Sequence, residues 1–170
     1  MAELVTLEGL RGWRNRHFCQ KVVATNGCFD LLHVGHLRYL QEAARHGDQL
    51  IVGLNSDESV RQLKGSQRPL IGEDDRAELL MGLRCVSAVC VFGDTNAAEF
   101  LRHCKPDVYI KGSDYSLKTL HDEERVVVEK LGAEVQFVAT VEGYSTTKLC
   151  HTINSLNKHL SSSAEYAREE

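Results

Sequence analysis

The chain has 170 residues, 42% hydrophobic and 26% charged, with 20 Lys+Arg against 24 Asp+Glu for a net charge of −4. That length suits one domain with a sizeable core, and a mildly acidic chain with no basic block argues against nucleic acid or an anionic membrane as partner. No apolar run nears the roughly 20 residues that span a bilayer, and Met1-Ala-Glu-Leu-Val-Thr-Leu-Glu8 lacks the basic and apolar regions of a signal peptide, so a cytoplasmic location is expected.

Residues 6–19 predict a helix, with Leu7, Leu10, Trp13 and Phe18 as an imperfect apolar stripe and Arg11, Arg14 and Arg16 facing solvent. Residues 1–20 are thus expected to form a helical extension ahead of the domain. Lys21 to Thr25 is a short apolar, β-branched run that predicts a buried strand, broken by Asn26-Gly27. From Gly35 onward Leu37, Leu40, Ala43 and Ala44 recur at helical spacing, and Gly47 closes that helix. His33-Val-Gly-His36 therefore stands where a loop becomes a helix. A helix start offers unpaired N–H groups and a positive dipole end, which suits phosphate. Two imidazoles there are hydrogen-bond donors to phosphate oxygens, and Gly35 lets a ligand approach the backbone. A zinc site is the other reading, but no Glu or third His stands at a known zinc spacing. No metal ligand is therefore assigned.

Residues 49–55 predict a second strand, followed by a short helix to about Leu63 with Ser56 or Asp57 as its cap. The loop Lys64-Gly-Ser-Gln-Arg-Pro69 is polar and cationic, and Lys64 is a candidate triphosphate contact. The next helix, about 73–84, begins with Glu73, Asp74 and Asp75, as the dipole favours. Arg76 in that first turn is either a phosphate contact or a salt-bridge partner of these acids. A third strand is expected at 87–92, a helix at 96–104, and a fourth strand at 107–111 with the loop Gly112-Ser-Asp114-Tyr115 at its carboxyl end. A helix at 119–131, a strand at 133–140 and a last helix from Ser145 or Thr146 complete the chain. The tail 161–170 is polar, and a frayed, flexible end is expected.

Strands and helices alternate, which predicts an α/β, Rossmann-like open parallel sheet of five strands with helices on both faces. In such sheets ligands bind beyond the carboxyl ends of the strands. The stretches 26–36, 111–115 and 142–148 all follow strands directly. His33, His36, Lys64, Arg76, Ser145, Thr146 and Thr147 would then share one phosphate-binding site. There is no Ser-His-Asp set, no Gly-x-x-x-x-Gly-Lys-Ser/Thr loop and no Gly-x-Gly-x-x-Gly. Many phosphate donors and no evident nucleophile fit direct in-line displacement at phosphorus, with Mg²⁺ neutralising a triphosphate. The six cysteines, Cys19, Cys28, Cys85, Cys90, Cys104 and Cys150, form no CxxC and are expected to be free thiols. Cys28 lies in the loop before His33 and is read as packing.

Thr25-Asn-Gly-Cys-Phe-Asp30, His33-Val-Gly-His36 and Ser145-Thr-Thr147 resemble the motifs of the HxGH nucleotidyltransferases. Gly53-Leu-Asn-Ser-Asp57, Lys64-Gly65, Arg68-Pro69, Pro106-Asp107, Lys111-Gly112, Asp114-Tyr115 and Glu142-Gly143 narrow the likeness to the heptose 1-phosphate adenylyltransferases, across about 21–153. The resemblance implies a nucleotidyltransferase domain over 21–160 that takes ATP and a heptose 1-phosphate, releases pyrophosphate and makes ADP-heptose for lipopolysaccharide or surface-layer glycans. By carry-over, His33, His36 and Lys64 are catalytic. Thr25, Asn26, Gly27, Cys28, Phe29, Gly35, Arg76, Lys111, Gly112, Asp114, Tyr115, Ser145, Thr146 and Thr147 surround the nucleotide. It also implies Mg²⁺ with ATP and a homodimer or larger homo-oligomer. Bifunctional relatives carry a sugar kinase domain ahead of this one; none stands here, so a separate kinase is expected to supply the sugar phosphate. Gly112-Ser113-Asp114-Tyr115 departs from the usual Gly-Gly-Asp-Tyr, and Gly93-Asp-Thr-Asn96 from the usual acidic pair and Pro.

Overall fold

The computed structural model describes residues 1–113, 115–139, 143–150, 152–153 and 155–156. In chain order these form β1 (Glu3–Leu4), α1 (Leu10–Arg16), β2 (Val22–Gly27), α2 (Val34–Ala44), β3 (Gln49–Asn55), α3 (Asp57–Lys64), α4 (Glu73–Met81), β4 (Ala88–Phe92), α5 (Ala98–Cys104), β5 (Val108–Gly112), α6 (Asp122–Leu131) and β6 (Glu134–Val138). Residues 146–150 are also helical.

The sheet is fully parallel, in the order β1-β4-β3-β2-β5-β6. Strands buried on both faces need continuous apolar runs, and Val22–Thr25 and Leu50–Leu54 supply them. Alternate side chains go to opposite faces. Val22, Ala24, Ile51 and Tyr109 pack with Leu10, Trp13, Phe100 and Leu101 beneath α1 and α5. Val23, Leu50, Val52, Val108 and Ile110 pack with Leu40, Ala43, Ala77 and Leu80 of α2 and α4 on the other face.

The parallel α/β sheet matches expectation but has six strands rather than five. The sixth is β1, whose two exposed residues pair with Ala88 and Val89 at the edge; a pair so short leaves no periodic signal. The N-terminal stretch is therefore a strand plus a helix of seven residues, joined to the sheet. Phe18 lies outside the stripe and is 77% exposed. Arg14 does not simply face solvent: it donates to Asp107 Oδ2 at 3.1 Å, and that carboxylate accepts the Val22 N–H at 2.7 Å. Arg14 thus ties α1 to the starts of β2 and β5. Arg16 pairs with Glu3. Asp114, Glu142 and the tail 161–170 lie outside the described residues, as do residues 151, 154 and 157–160.

The order reverses between β2 and β5. Their pairing is brief, Val23 with Val108 and Ala24 with Tyr109, while β2 and β3 pair from Val22 to Gly27. Beyond Ala24 the two carboxyl ends open a crevice at the switch point.

Candidate active site

A cavity of about 630 Å³ occupies that crevice. From the end of β2, the loop after it and the start of α2 it is lined by Asn26, Gly27, Cys28, Phe29, His33, Gly35 and His36; from α3 by Lys64; from β5 and its loop by Lys111, Gly112 and Tyr115; and from the last stretch by Ser145, Thr146 and Thr147. The expected convergence of separate loops on one sheet edge is therefore present.

Phe29 is the pivot of the first wall. Its φ of 44° turns the chain sharply, and its ring is buried beside His36, 5.3 Å away and edge-on. His33 then caps α2 through its side chain, Nδ1 accepting the His36 N–H at 3.3 Å. That bond leaves the proton of a neutral His33 ring on Nε2, a hydrogen-bond donor. The rings of His33 and His36 stack with centroids 3.8 Å apart. Burial, then the adjacent His33, pushes the His36 pKa down from 6.5 to about 4, against a pull from the Leu31 backbone. Burial also lowers that of His33. His36 Nδ1 is buried without a hydrogen-bond partner among the described residues. A Cβ at Gly35 would come within 2.9 Å of His33 Nδ1 and 3.0 Å of Tyr144 Cβ. Glycine is required there by close approach, not by its dihedral freedom.

The cationic side of the cavity is fixed by a carboxylate. Buried Asp30 accepts the Leu70 and Ile71 N–H groups at 2.7 and 3.1 Å and pairs with Arg68. This clamps the loop after α3 over the His wall and brings Lys64, the exposed last residue of α3, to the rim. Lys64 pairs with no carboxylate among the described residues. Ser145 Oγ accepts the Lys148 N–H at 3.1 Å and so caps helical residues 146–150. Its neighbours Thr146 and Thr147 sit at a helix start facing the cavity, a setting for phosphate oxygens.

Two expected contacts are turned elsewhere. Arg76 does not line the cavity and is fully buried. It donates to Ile71 O at 2.9 Å, Cys28 O at 2.5 Å, Asn55 O at 2.9 Å and Asp57 Oδ1 at 2.7 Å. Four fixed acceptors take four of its five N–H groups, so it braces the ends of β2 and β3 from behind the site. Thr25 is also fully buried, its hydroxyl 2.7 Å from Tyr39 Oη on α2. Cys28 lines the cavity, but burial is the largest influence on its thiol and raises its pKa. It is therefore held as a thiol, a poor nucleophile.

On the far wall Lys111 is nearly buried. Its Nζ stands 2.9 Å from Asn26 Oδ1 and 3.3 Å from Glu124 Oε2, over the rings of Tyr109 and Tyr115. Glu124 also accepts the Ala97 N–H at 2.8 Å and lies 3.0 Å from Tyr109 Oη. The sequence marks Asn96 only within the departing loop 93–96 and does not single out Glu124, Asn55 or His121 as cavity residues. Asn55 was within reach, as the polar end of an apolar strand. Glu124 sits in the run Asp122-Glu-Glu, and nothing local marks which acid turns inward.

A cytidylyltransferase-like family model matches residues 24–163. The chain is 45% identical over 155 residues to the bifunctional protein HldE of Geotalea uraniireducens, covering 91% of this chain and 30% of that one. It is 48% identical over 134 residues to HldE of Geobacter sulfurreducens, covering 79% and 27%. The chain thus spans about three-tenths of these relatives' length. Among solved structures it resembles the lipopolysaccharide core biosynthesis protein of Thermoplasma volcanium, with a TM-score of 0.59, 28% identity and coverage of 74% of this chain and 99% of that one. It shares a fold with pantoate-β-alanine ligase of Francisella tularensis, with a TM-score of 0.58 at 13% identity over 84% of this chain and 68% of the ligase.

Proposed function

The chain belongs to the cytidylyltransferase-like family and is a nucleotidyltransferase, and we propose that it moves AMP from ATP onto a heptose 1-phosphate, giving ADP-heptose and pyrophosphate. The observation that carries this reading is the meeting of His33, His36, Lys64 and Ser145–Thr147 around one cavity at the strand ends. All are donors to phosphate oxygens, and burial keeps the nearby Cys28 thiol protonated. Such a site supports transfer by position and charge rather than by a covalent intermediate. The heptose assignment draws on the motif resemblance, and the bifunctional HldE relatives are consistent with it.

In this mechanism a phosphate oxygen of the sugar 1-phosphate attacks the α-phosphorus of ATP. The bond from that phosphorus to the bridging oxygen breaks in line, and pyrophosphate leaves. Neutral His33 and His36 donate N–H bonds to the transferring phosphate as its charge grows. Lys64 closes over the α-phosphate and the incoming sugar phosphate. The hydroxyls and N–H groups of Ser145, Thr146 and Thr147 hold the β- and γ-phosphates.

Mg²⁺ would enter with ATP and supply charge neutralisation on the triphosphate. Among the described residues no three His, Cys, Asp or Glu stand close enough to cage a metal. Asp30 and Glu124, the carboxylates that line the cavity among the described residues, are engaged by Arg68 and Lys111. This donor set fits an ion carried on the nucleotide.

The test is to offer D-glycero-D-manno-heptose 1-phosphate with ATP, CTP or GTP and measure pyrophosphate. The reading expects the highest kcat/KM with ATP and ADP-heptose as product. No turnover with any nucleotide removes the heptose assignment, and preference for GTP or CTP removes the adenylyl one.

A further inference from the structure

The side chain of Asn26 is held in one orientation from behind. Its Oδ1 accepts from Tyr109 Oη at 2.6 Å and from Lys111 Nζ at 2.9 Å. An ammonium only donates, so the atom facing it must be the amide oxygen, and the Nδ2 end is fixed by default. The protons balance. Tyr109 has one, which Asn26 Oδ1 at 2.6 Å and Glu124 Oε2 at 3.0 Å share. Glu124 Oε2 is served by Lys111, 3.3 Å away, and Glu124 Oε1 by the Ala97 N–H at 2.8 Å. Burial and the neighbouring Glu124 hold the Tyr109 hydroxyl protonated. Asn26 Nδ2 makes no hydrogen bond among the described residues, and Asn26 lines the cavity. Asn26 also sits where β2 and β5 part.

Building on the nucleotidyl-transfer reading, we propose that Asn26 presents its Nδ2 protons to a substrate phosphate oxygen, and that Lys111, Tyr109 and Glu124 are positioning residues that keep this amide a donor. The network is worth building because a free amide turns over readily. With Oδ1 toward the substrate it would repel the phosphate it otherwise binds. The phosphate oxygen belongs either to ATP or to the sugar phosphate, and the two are separable by adding each alone.

The direct test is NMR of the wild-type protein, following the side-chain Nδ2 proton pair of Asn26 assigned through its own backbone. A shift of that pair on adding ATP, or on adding heptose 1-phosphate, supports the donor role and names the source. An unmoved pair under both, while the His33 and His36 signals move, overturns it. Because this reads binding, it stands apart from turnover: loss of transfer with the shift intact would fault only the proposed reaction. Asn26→Asp keeps an oxygen for Tyr109 and Lys111 but puts a negative oxygen where the donor was. It is expected to lower kcat/KM at least 10²-fold with its thermal midpoint held within a few degrees; wild-type kinetics would overturn the proposal. Glu124→Gln is expected to broaden or double the Asn26 amide pair before ligand is added and to lower kcat about tenfold with little change in KM. A single sharp pair in that variant would remove Glu124 from the positioning set.

Discussion

The rings of His33 and His36 stack face to face, 3.8 Å apart and 14° from parallel. Burial lowers the pKa of both rings, and the adjacent His33 lowers that of His36 further, to about 4. At neutral pH the pair is therefore two neutral donors, prepared for charge that develops on a substrate rather than carrying charge beforehand. His36→Ala is expected to lower kcat about 10²-fold or more, as for loss of one transition-state donor, with a smaller change in the KM for ATP. Steady-state kinetics check this; unchanged kcat would refute the role.

The same ring links stability to pH. An unfolded His36 takes up its proton near 6.5 and the folded one near 4. Between those values the unfolded chain binds more protons, so the contribution is fully present above pH 6.5 and is lost as pH falls toward 4. Urea unfolding of wild type against His36→Asn should show a gap that narrows over that window. A gap independent of pH would contradict the lowered pKa.

Gly35→Ala puts a methyl group 2.9 Å from His33 Nδ1 and 3.0 Å from Tyr144 Cβ. The rings must shift, at a cost of about 1–3 kcal/mol for such overpacking, and the donor geometry goes with them. A folded protein with kcat reduced at least tenfold is expected from denaturation curves read beside turnover.

Arg76 and Lys64 should separate cleanly. Arg76→Ala leaves Asp57 and three carbonyls without their donor, and losing one side of a buried pair costs about 3–5 kcal/mol. Lys64→Ala removes an exposed cation and should leave the thermal midpoint nearly unchanged while weakening ATP binding. Calorimetry of both variants decides it; a stable Arg76→Ala with lost ATP affinity would return Arg76 to the nucleotide.

Much of the fold was legible because burial on both faces of a parallel sheet demands apolar runs, and Val22–Thr25 and Leu50–Leu54 announce themselves. The edge pair Glu3–Leu4 does not, since two exposed residues have no period to detect. The site was legible where residue type and backbone setting coincide, as at His33-Val-Gly-His36. It was less so where direction decides. Thr25 follows three buried residues and precedes Asn26, yet one turns to Tyr39 and the other to the cavity. Arg76 is one turn into a helix whose start suits phosphate, but full burial gives it to Asp57 and to the carbonyls of Cys28, Asn55 and Ile71. Glu124 was silent because its meaning lies in Lys111, Tyr109 and Ala97, brought together only by tertiary structure.

The central claim is a single displacement at the α-phosphorus with no protein nucleophile. It is tested most directly by running the reaction with ATP made chiral at the α-phosphorus by one sulfur and reading the product's configuration by phosphorus NMR. One in-line step predicts inversion. Retention would mean two displacements through a covalent enzyme intermediate and would contradict the account.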